Sequence, residues 1–491
     1  MVQSPHFRHF TAAVGPPAKP LPETFEILPV PDVFLAIHHA ADYHLEKQGK
    51  DWVFLTGLTF HIEERLSLAQ MAERLLQATD PLDEIDYWAG SFAALRCVGG
   101  QIYAYHDPAP DNKIYYRHLQ QGGHWIGSDP MLSRYWQNLQ PHHDPECRHF
   151  HASQWLNKRA ILVGEYTPFE GVFQVLANHC FNWQSARHQR IFPRSPRREI
   201  SVSEAIAYLV PRMQHVIAQA VERKRVHMAI TAGWDSRLIL AASQPFAQEI
   251  DYFTFQRAPR PDDDPDLVLP AQMARDLGFS HRVVKVDPAL PAAHKKNLDE
   301  TFTVVADYRY THFLSLQPSF DPEELVLIGT ISEVGKNYLE HIPVHNGKQA
   351  VRALHFVEHP WLIRYYEAWL AERAPEVRRW GYRMLDFLHW EQDISNFAGG
   401  VSQYGNYVVN VISPFNAGKI LATMLAVDPA ERDKHWPRLY EALIRQQWPA
   451  LMNYPLNPFP REKKIRLMKQ LGVYNLYKYL DNRLIAKPFK D

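Results

Sequence analysis

The sequence predicts an α/β protein, with a parallel sheet covered by helices on both faces in its C-terminal half and an α+β region of clustered strands before it. Three observations predict this. Residues 226–242 (VHMAITAGWDSRLILAA) pass from a short alternating apolar run, through a turn of small residues, into good helix formers. Strand and helix signals then alternate as far as Val286, the βαβαβ order that builds a right-handed parallel sheet. Upstream, strand signals at 52–58, 92–105, 114–117 and 124–127 gather around one helical pattern, which marks a separate domain.

Bulk properties narrow the class. At 491 residues the chain is long enough for two or three domains, and 46% hydrophobic with 22% charged residues describes a globular protein. A formal net charge of −1 provides no global field for nucleic acid or an anionic membrane. No run of about eighteen apolar residues and no secretory signal occurs, so a cytoplasmic location is expected. Cys97, Cys147 and Cys180 are widely spaced and indicate neither a disulfide framework nor a paired-cysteine metal site.

Taken in order, residues 1–30 are Pro-rich and read as extended and surface-draped, and His38, His39 and His44 read as scattered surface histidines. Residues 66–78 carry a helical period, and Gly99-Gly100 turn a hairpin between 92 and 105. The stretch 142–151, with four histidines and Cys147, matches no helix or zinc-ligand spacing and reads as a connector. Residues 201–222 form a helix through Ile206, Leu209, Met213, Val216 and Ile217. After the strand at 226 come a second strand at 251–255, an acidic Pro-rich loop at 258–266, a helix at 267–277 and a third strand at 281–286. Residues 325–328 give another strand, running into Gly329-Thr330-Ile331-Ser332-Glu333. The C-terminal REKKIRLMKQLG is a basic helical face turned to solvent.

The turn Thr231-Ala232-Gly233-Trp234-Asp235-Ser236 has the chemistry of an anion site. A strand, a small-residue loop and a helix start leave unpaired N–H groups and the positive end of the helix dipole facing the loop. Thr231 and Ser236 add hydroxyls, Gly233 permits close backbone approach, and Asp235 beside an anion requires a cation such as Mg²⁺ between them. An ordinary βα turn, capped by Asp235 or Ser236, is the alternative reading of the same residues.

This turn resembles the SGGxDS pyrophosphate loop of the PP-loop ATP pyrophosphatases, and TAGWDSRLILAA resembles its version in the asparagine synthetase family, with Thr for the first Ser and Ala for the first Gly. Gly329 to Tyr338 resembles the family's second loop, one residue shorter, with Ser332-Glu333 in place of Asp-Glu. Residues 396–415 resemble the family helix ending in E-x-R-x-P-F, matching it at Pro414-Phe415, with Asn410 and Ile412 in place of Glu and Arg. Tyr404 and Tyr407 are polar candidates on that stretch, with aromatic packing the plainer role. Residues 50–195 resemble the class II glutamine amidotransferase domain through Gly90-Ser91-Phe92-Ala93, His106-Asp107-Pro108, Tyr115-Tyr116 and Gly127-Ser128-Asp129.

The resemblance implies a degenerate amidotransferase-like, Ntn-hydrolase-like sandwich at 1–195 and a PP-loop ATP-binding domain at 196–491. Val2 stands where the family has its nucleophilic Cys, and Thr56-Gly57-Leu58 replaces Asn-Gly-Glu, so no glutamine hydrolysis is expected. ATP and Mg²⁺ are the implied cofactors. Asp235 and Glu333 are the implied metal ligands. Thr231, Ala232, Gly233, Trp234, Asp235, Ser236, Phe255, Gly329 and Lys336 are the implied nucleotide contacts. Asp235, Glu333 and Arg438 are the implied catalytic set, with Arg438, Lys463 and Lys464 the candidates for the family's late lysine. The expected reaction is adenylation of a carboxylate and amide formation on a small-molecule or peptide substrate, with ring closure in natural-product biosynthesis the leading subclass. Amidation of a sugar acid or other small acid with free ammonia and a non-catalytic nucleotide-binding or scaffold paralogue are the alternatives. No nucleic acid and no membrane are expected as partners; a homodimer or a biosynthetic partner protein is.

Overall fold

The computed structural model describes residues 3–120, 122–159, 161–303, 307–340 and 344–484. Twelve strands come first: β1 (Phe10–Ala13), β2 (Phe25–Val30), β3 (Val33–His38), β4 (Tyr43–Gln48), β5 (Asp51–His61), β6 (Trp88–Val98), β7 (Gln101–His106), β8 (Tyr115–His118), β9 (His124–Gly127), β10 (Val172–Gln174), β11 (His179–Asn182) and β12 (Arg187–Arg190). They form two six-stranded sheets, in the orders β10-β8-β9-β1-β3-β2 and β12-β11-β7-β6-β5-β4, with every paired neighbour antiparallel. Strand alternation sorts the side chains. Trp52, Phe54 and Leu95 enter the core with Phe10, Ile37, Ile126 and Phe181, whereas Val53, Leu55 and Ala94 face Met71 and Leu75 of the helix Leu68–Gln77. Ser67 starts that helix with a capping box to Gln70.

Three expectations for this half need correction. Residues 10–13 are not draped over the surface; β1 is fully buried between β9 and β3, because its short Phe-Thr-Ala-Ala run completes a sheet that the chain supplies only later. His38 is buried, with Nε2 2.8 Å from Ser4 Oγ. Residues 145–152 form a helix, with Pro145 in its first turn and Asp144 accepting from the amides of Glu146 and Cys147. Its Cys147 and Phe150 pack with Trp361, Leu362 and Tyr366 of the helix Pro360–Arg379. Val2 lies outside the described residues.

The second region holds one parallel sheet of β13 (Val226–Ala229), β14 (Ile250–Gln256), β15 (His281–Lys285), β16 (Leu325–Leu327) and β17 (Asn410–Ile412), in the order β15-β14-β13-β16-β17. All four pairings are parallel. One face buries Val226, Met228, Tyr252, Leu325, Leu327 and Ile412 against the helices Val202–Arg223, Trp234–Ala242 and Arg438–Gln447. The other buries Phe253, Val326 and Val411 against Leu298, Tyr310, Tyr404 and Tyr407. Both faces are covered, as a parallel sheet requires. The helix expected over 396–415 stops at Asn406, and Asn410–Ile412 become β17 instead, three residues too short to announce a strand that pairing to β16 creates.

The two regions are knotted by Asn416, which has no exposed surface. Its Nδ2 lies 2.7 Å from Asp107 Oδ1 and 2.8 Å from Gly90 O, and its Oδ1 accepts from Ala109 N at 2.8 Å.

Candidate functional site

Starting from β13, the chain order reverses across the sheet between β13 and β16, where ligands settle outside the strand C-termini in doubly wound folds. Both sequence-predicted loops leave from this point. Residue 230 closes the strand by donating to Phe253 O, and the helix Trp234–Ala242 begins three residues beyond Thr231, earlier than its helix formers suggested. Gly233 is its N-cap and offers no side-chain cap, so the first-turn amides at Trp234, Asp235 and Ser236 face the loop without a capping side chain. Thr231 and Ser236 hydroxyls lie 3.0 Å apart and bind one another within the turn. The amide of Ala232 donates to Asp266 Oδ1 at 3.0 Å, from the start of the helix Pro265–Leu277.

The second loop meets the first directly. A Cβ at Gly329 would stand 2.9 Å from the carbonyl carbon and oxygen of Asp235, a contact that only glycine accommodates. Gly233 is different: a Cβ there would meet Asn457 Oδ1 and Thr231 Oγ1 at 3.4 Å, an ordinary contact that enforces no close approach. Ile331 takes a left-handed φ of 65°, which bends the chain so that Ser332 and Glu333 turn back over Asp235.

Asp235 therefore gathers partners from the second loop. Ser332 Oγ donates to its Oδ1 at 2.7 Å, and Lys336 Nζ donates to its Oδ2 at 2.5 Å. Glu333 lies half-buried beside this pair, and its buried Oε2 has no hydrogen-bond partner. Burial, then the Asp235 charge, push the Glu333 carboxyl up to about 7, whereas Lys336 pulls it down. Tyr440 OH donates to Ser332 O from the helix behind, and the Lys336 ammonium stands 5.6 Å from the Tyr440 ring centroid. Tyr338 stacks on His389 at 4.2 Å, and Lys434 Nζ lies 4.2 Å over the Tyr338 ring. Burial lowers Lys434 to about 8, with Lys478, Lys336 and Arg461 adding repulsion that Glu340 opposes.

The structure thus brings together Thr231, Ala232, Gly233, Trp234, Asp235, Ser236, Gly329, Glu333 and Lys336 at one strand-end crevice. Phe255 lies at the C-terminal end of the neighbouring β14, half-buried against Phe253 and Phe313. Arg438 requires correction: its side chain is 71% exposed and pairs with Glu431, since it opens its helix on the solvent side while Tyr440 two residues on turns inward. Lys463 and Lys464 are also exposed. Asn410, placed at the family Glu, sits at the opposite end of the sheet, where its Nδ2 contacts the carbonyl of Glu323 at 3.1 Å and its Oδ1 accepts from Arg8. It braces the first residue of β17 and does not face the crevice.

Sequence reasoning missed Asp266, Lys434 and Tyr440, none of which belongs to a local motif. It also missed Arg237, fully buried one residue past the loop, which donates to the carbonyls of Leu451, Tyr454 and Pro455. Those bonds seat the segment whose Asn457 amide binds Ala232 O. Apart from the crevice, His142, His143 and Glu170 bring ligand atoms within 4.8 Å of one another, with His143 exposed and 2.7 Å from Glu170.

No family model matches the chain, and no curated protein matches it. Among solved structures it is similar to the glutamine phosphoribosylpyrophosphate amidotransferase of B. subtilis complexed with ADP and GMP, at 10% identity over 66% of this chain and 76% of that one, with a TM-score of 0.24. It is also similar to the glutamine-dependent NAD⁺ synthetase of Acinetobacter baumannii in complex with ADP, at 16% identity, 39% and 42% coverage and a TM-score of 0.18. The U34-tRNA thiolase of Methanococcus maripaludis, with its [4Fe-4S] cluster, matches at 11% identity, 54% and 89% coverage and a TM-score of 0.21. Likeness at this level carries no functional argument, and the fold class rests on the strand orders and registers themselves.

Proposed function

We propose that the protein is an ATP-dependent carbon–nitrogen ligase that adenylates a substrate carboxylate with release of pyrophosphate and passes the acyl group to an amine with release of AMP. The observation that carries this reading is the convergence of Asp235, Ser332, Glu333 and Lys336 beside a helix start that lacks a side-chain cap, at the reversal point of a parallel sheet. The first-turn amides and Lys336 hold the leaving pyrophosphate, and Lys434 steadies charge that develops on the α-phosphate. Asp235 and Glu333 fit Mg²⁺, because Glu333 Oε2 is a buried carboxylate oxygen with no protein partner beside a second carboxylate. Asp235 and Glu333 would hold the ion, which would supply charge neutralisation to the phosphate oxygens. Lys336 then exchanges its bond to Asp235 for one to phosphate.

The amine comes from the substrate itself or from outside, because Thr56 and Leu58 flank Gly57 without a titratable group. Intramolecular amide closure in natural-product or peptide biosynthesis is the finer form of this proposal, and ammonia-dependent amidation of a small acid is its competitor. A second reading, a nucleotide-free scaffold, is favoured by one observation: Asp266 already occupies the Ala232 amide and Lys336 already satisfies Asp235. Calorimetric titration of ATP with Mg²⁺ into the wild type and Asp235→Ala decides between them. Binding that disappears in the variant, followed by pyrophosphate release with candidate acids, supports the ligase; no binding to the wild type leaves the scaffold.

A further inference from the structure

Exposed large hydrophobic side chains are unevenly distributed. Of the thirteen among the described residues, six fall between 467 and 480: Leu467, Leu471, Val473, Leu476, Tyr477 and Leu480. Leu467 lies on the helix Pro460–Gln470, Leu476, Tyr477 and Leu480 on the helix Tyr474–Leu484, and Leu471 and Val473 in the turn between them, where Gly472 with φ of 71° makes the sharp reversal. Positions 473, 476, 477 and 480 share one helical face, and 467 with 471 form a second stripe. Leu471 and Leu476 are 66% and 61% exposed, too much for a face that the rest of the fold covers.

The charge around these stripes has one sign. Between 460 and 480 the chain carries Arg461, Lys463, Lys464, Arg466, Lys469 and Lys478 against Glu462 alone. Lys469 and Lys478 are spent on Asp433 and Glu340, and Glu462 on His435. Arg461, Lys463 and Lys464 are exposed and have no acidic partner among the described residues. The same basic surface continues inward, where Arg461 acts electrostatically on Lys434 and Tyr338 beside Lys336.

We propose that this helical hairpin docks an acidic amphipathic helix of a partner protein. Its leucines would fill the apolar stripes and its carboxylates would meet Lys463, Lys464 and Arg461. A second copy of this chain is disfavoured as occupant, because isologous pairing would set basic faces against each other. The whole chain's net charge of −1 gives an anionic bilayer no wider attraction.

The test uses the full chain and a fluorescein-labelled eighteen-residue Leu/Glu peptide patterned as an amphipathic helix, with a scrambled peptide of equal composition as control. Anisotropy should show salt-sensitive binding of the patterned peptide, at least tenfold tighter than the scrambled one. The double variant Leu471→Ser/Leu476→Ser should lose at least tenfold, and Lys463→Glu/Lys464→Glu a similar amount, with unchanged circular dichroism. Equal binding of both peptides, or of wild type and both variants, overturns the proposal. So does flotation with vesicles of 30% phosphatidylserine without peptide binding, or dimerisation in ultracentrifugation that the leucine variant abolishes. ATP titration on the same samples separates the two readings: peptide binding without ATP binding keeps the docking surface and removes the ligase.

Discussion

Two places in this molecule are built around glycine, and they differ in what surrounds it. Across β5 and β6, Gly57 and Gly90 take φ values of 102° and 119°, and a Cβ on either would stand 2.2 Å from a carbonyl oxygen of the facing strand. Their neighbours are Thr56, Leu58, Ala89 and Ser91, with no titratable group among them. At the sheet reversal, Gly329 brings Ser332, Glu333 and Lys336 onto Asp235. Both places enforce a close backbone approach and both lie near buried charge: Asp111 and Lys113 line one cavity with Gly57, whereas Gly329 lets a second loop lay Ser332, Glu333 and Lys336 against Asp235. Each place leaves a buried carboxylate oxygen unpartnered, Asp111 Oδ1 at the first and Glu333 Oε2 at the second, and what sets the second apart is the helix start without a side-chain cap beside it.

The sharpest way to break this contrast is Asp235→Ala. If the crevice is the nucleotide site, MgATP affinity should fall about 1,000-fold, close to 4 kcal/mol by calorimetry. Unchanged affinity would make the reversal point architectural.

Glu333 gives the next largest effect, read through pH. Its carboxyl sits at about 7 in the folded state against an ordinary value of 4.5, so the folded chain keeps a proton that the unfolded chain releases. Stability therefore falls as pH rises between about 4.5 and 7, by roughly 3 kcal/mol in total. Glu333→Gln should flatten that slope in urea titrations at pH 5 and pH 8, gaining stability at pH 8. An unchanged slope would show that Glu333 is not the buried charge.

Asn416→Ala tests how far the two regions depend on each other. It leaves Ala109 N without this acceptor and Asp107 and Gly90 without their shared donor, at a cost of about 2 kcal/mol. Because Ser413 Oγ holds Thr330 O on the second loop, MgATP affinity should weaken about tenfold in the same variant. Loss of stability with unchanged affinity would mean that the first region supports the fold without setting the crevice. The smallest effect belongs to Arg438→Ala, which should change stability by less than about 0.5 kcal/mol and leave MgATP binding as it was.

What the sequence disclosed followed the range of the interactions. The turn at Thr231–Ser236 was legible because strand, loop and helix are contiguous and each has a local period. Glu333 and Lys336 were legible through a second contiguous motif. Asp266, Lys434 and Tyr440 reach the crevice from three separate helices or loops, and no local pattern records where a fold will bring them. β1 and β17 were missed for a related reason: four and three residues carry too little periodicity, and each becomes a strand by pairing with neighbours supplied elsewhere in the chain. Arg438 misled because a basic residue in the expected stretch says nothing about which side of its helix faces in.

The bond between Asp266 and the Ala232 amide has a kinetic consequence. An anion arriving at that amide must first expel a carboxylate that belongs to the protein, so capture includes a unimolecular opening that ligand concentration cannot accelerate. Stopped-flow traces of nucleotide capture would then level off at high concentration, and the plateau would report how often the helix Pro265–Leu277 lets go.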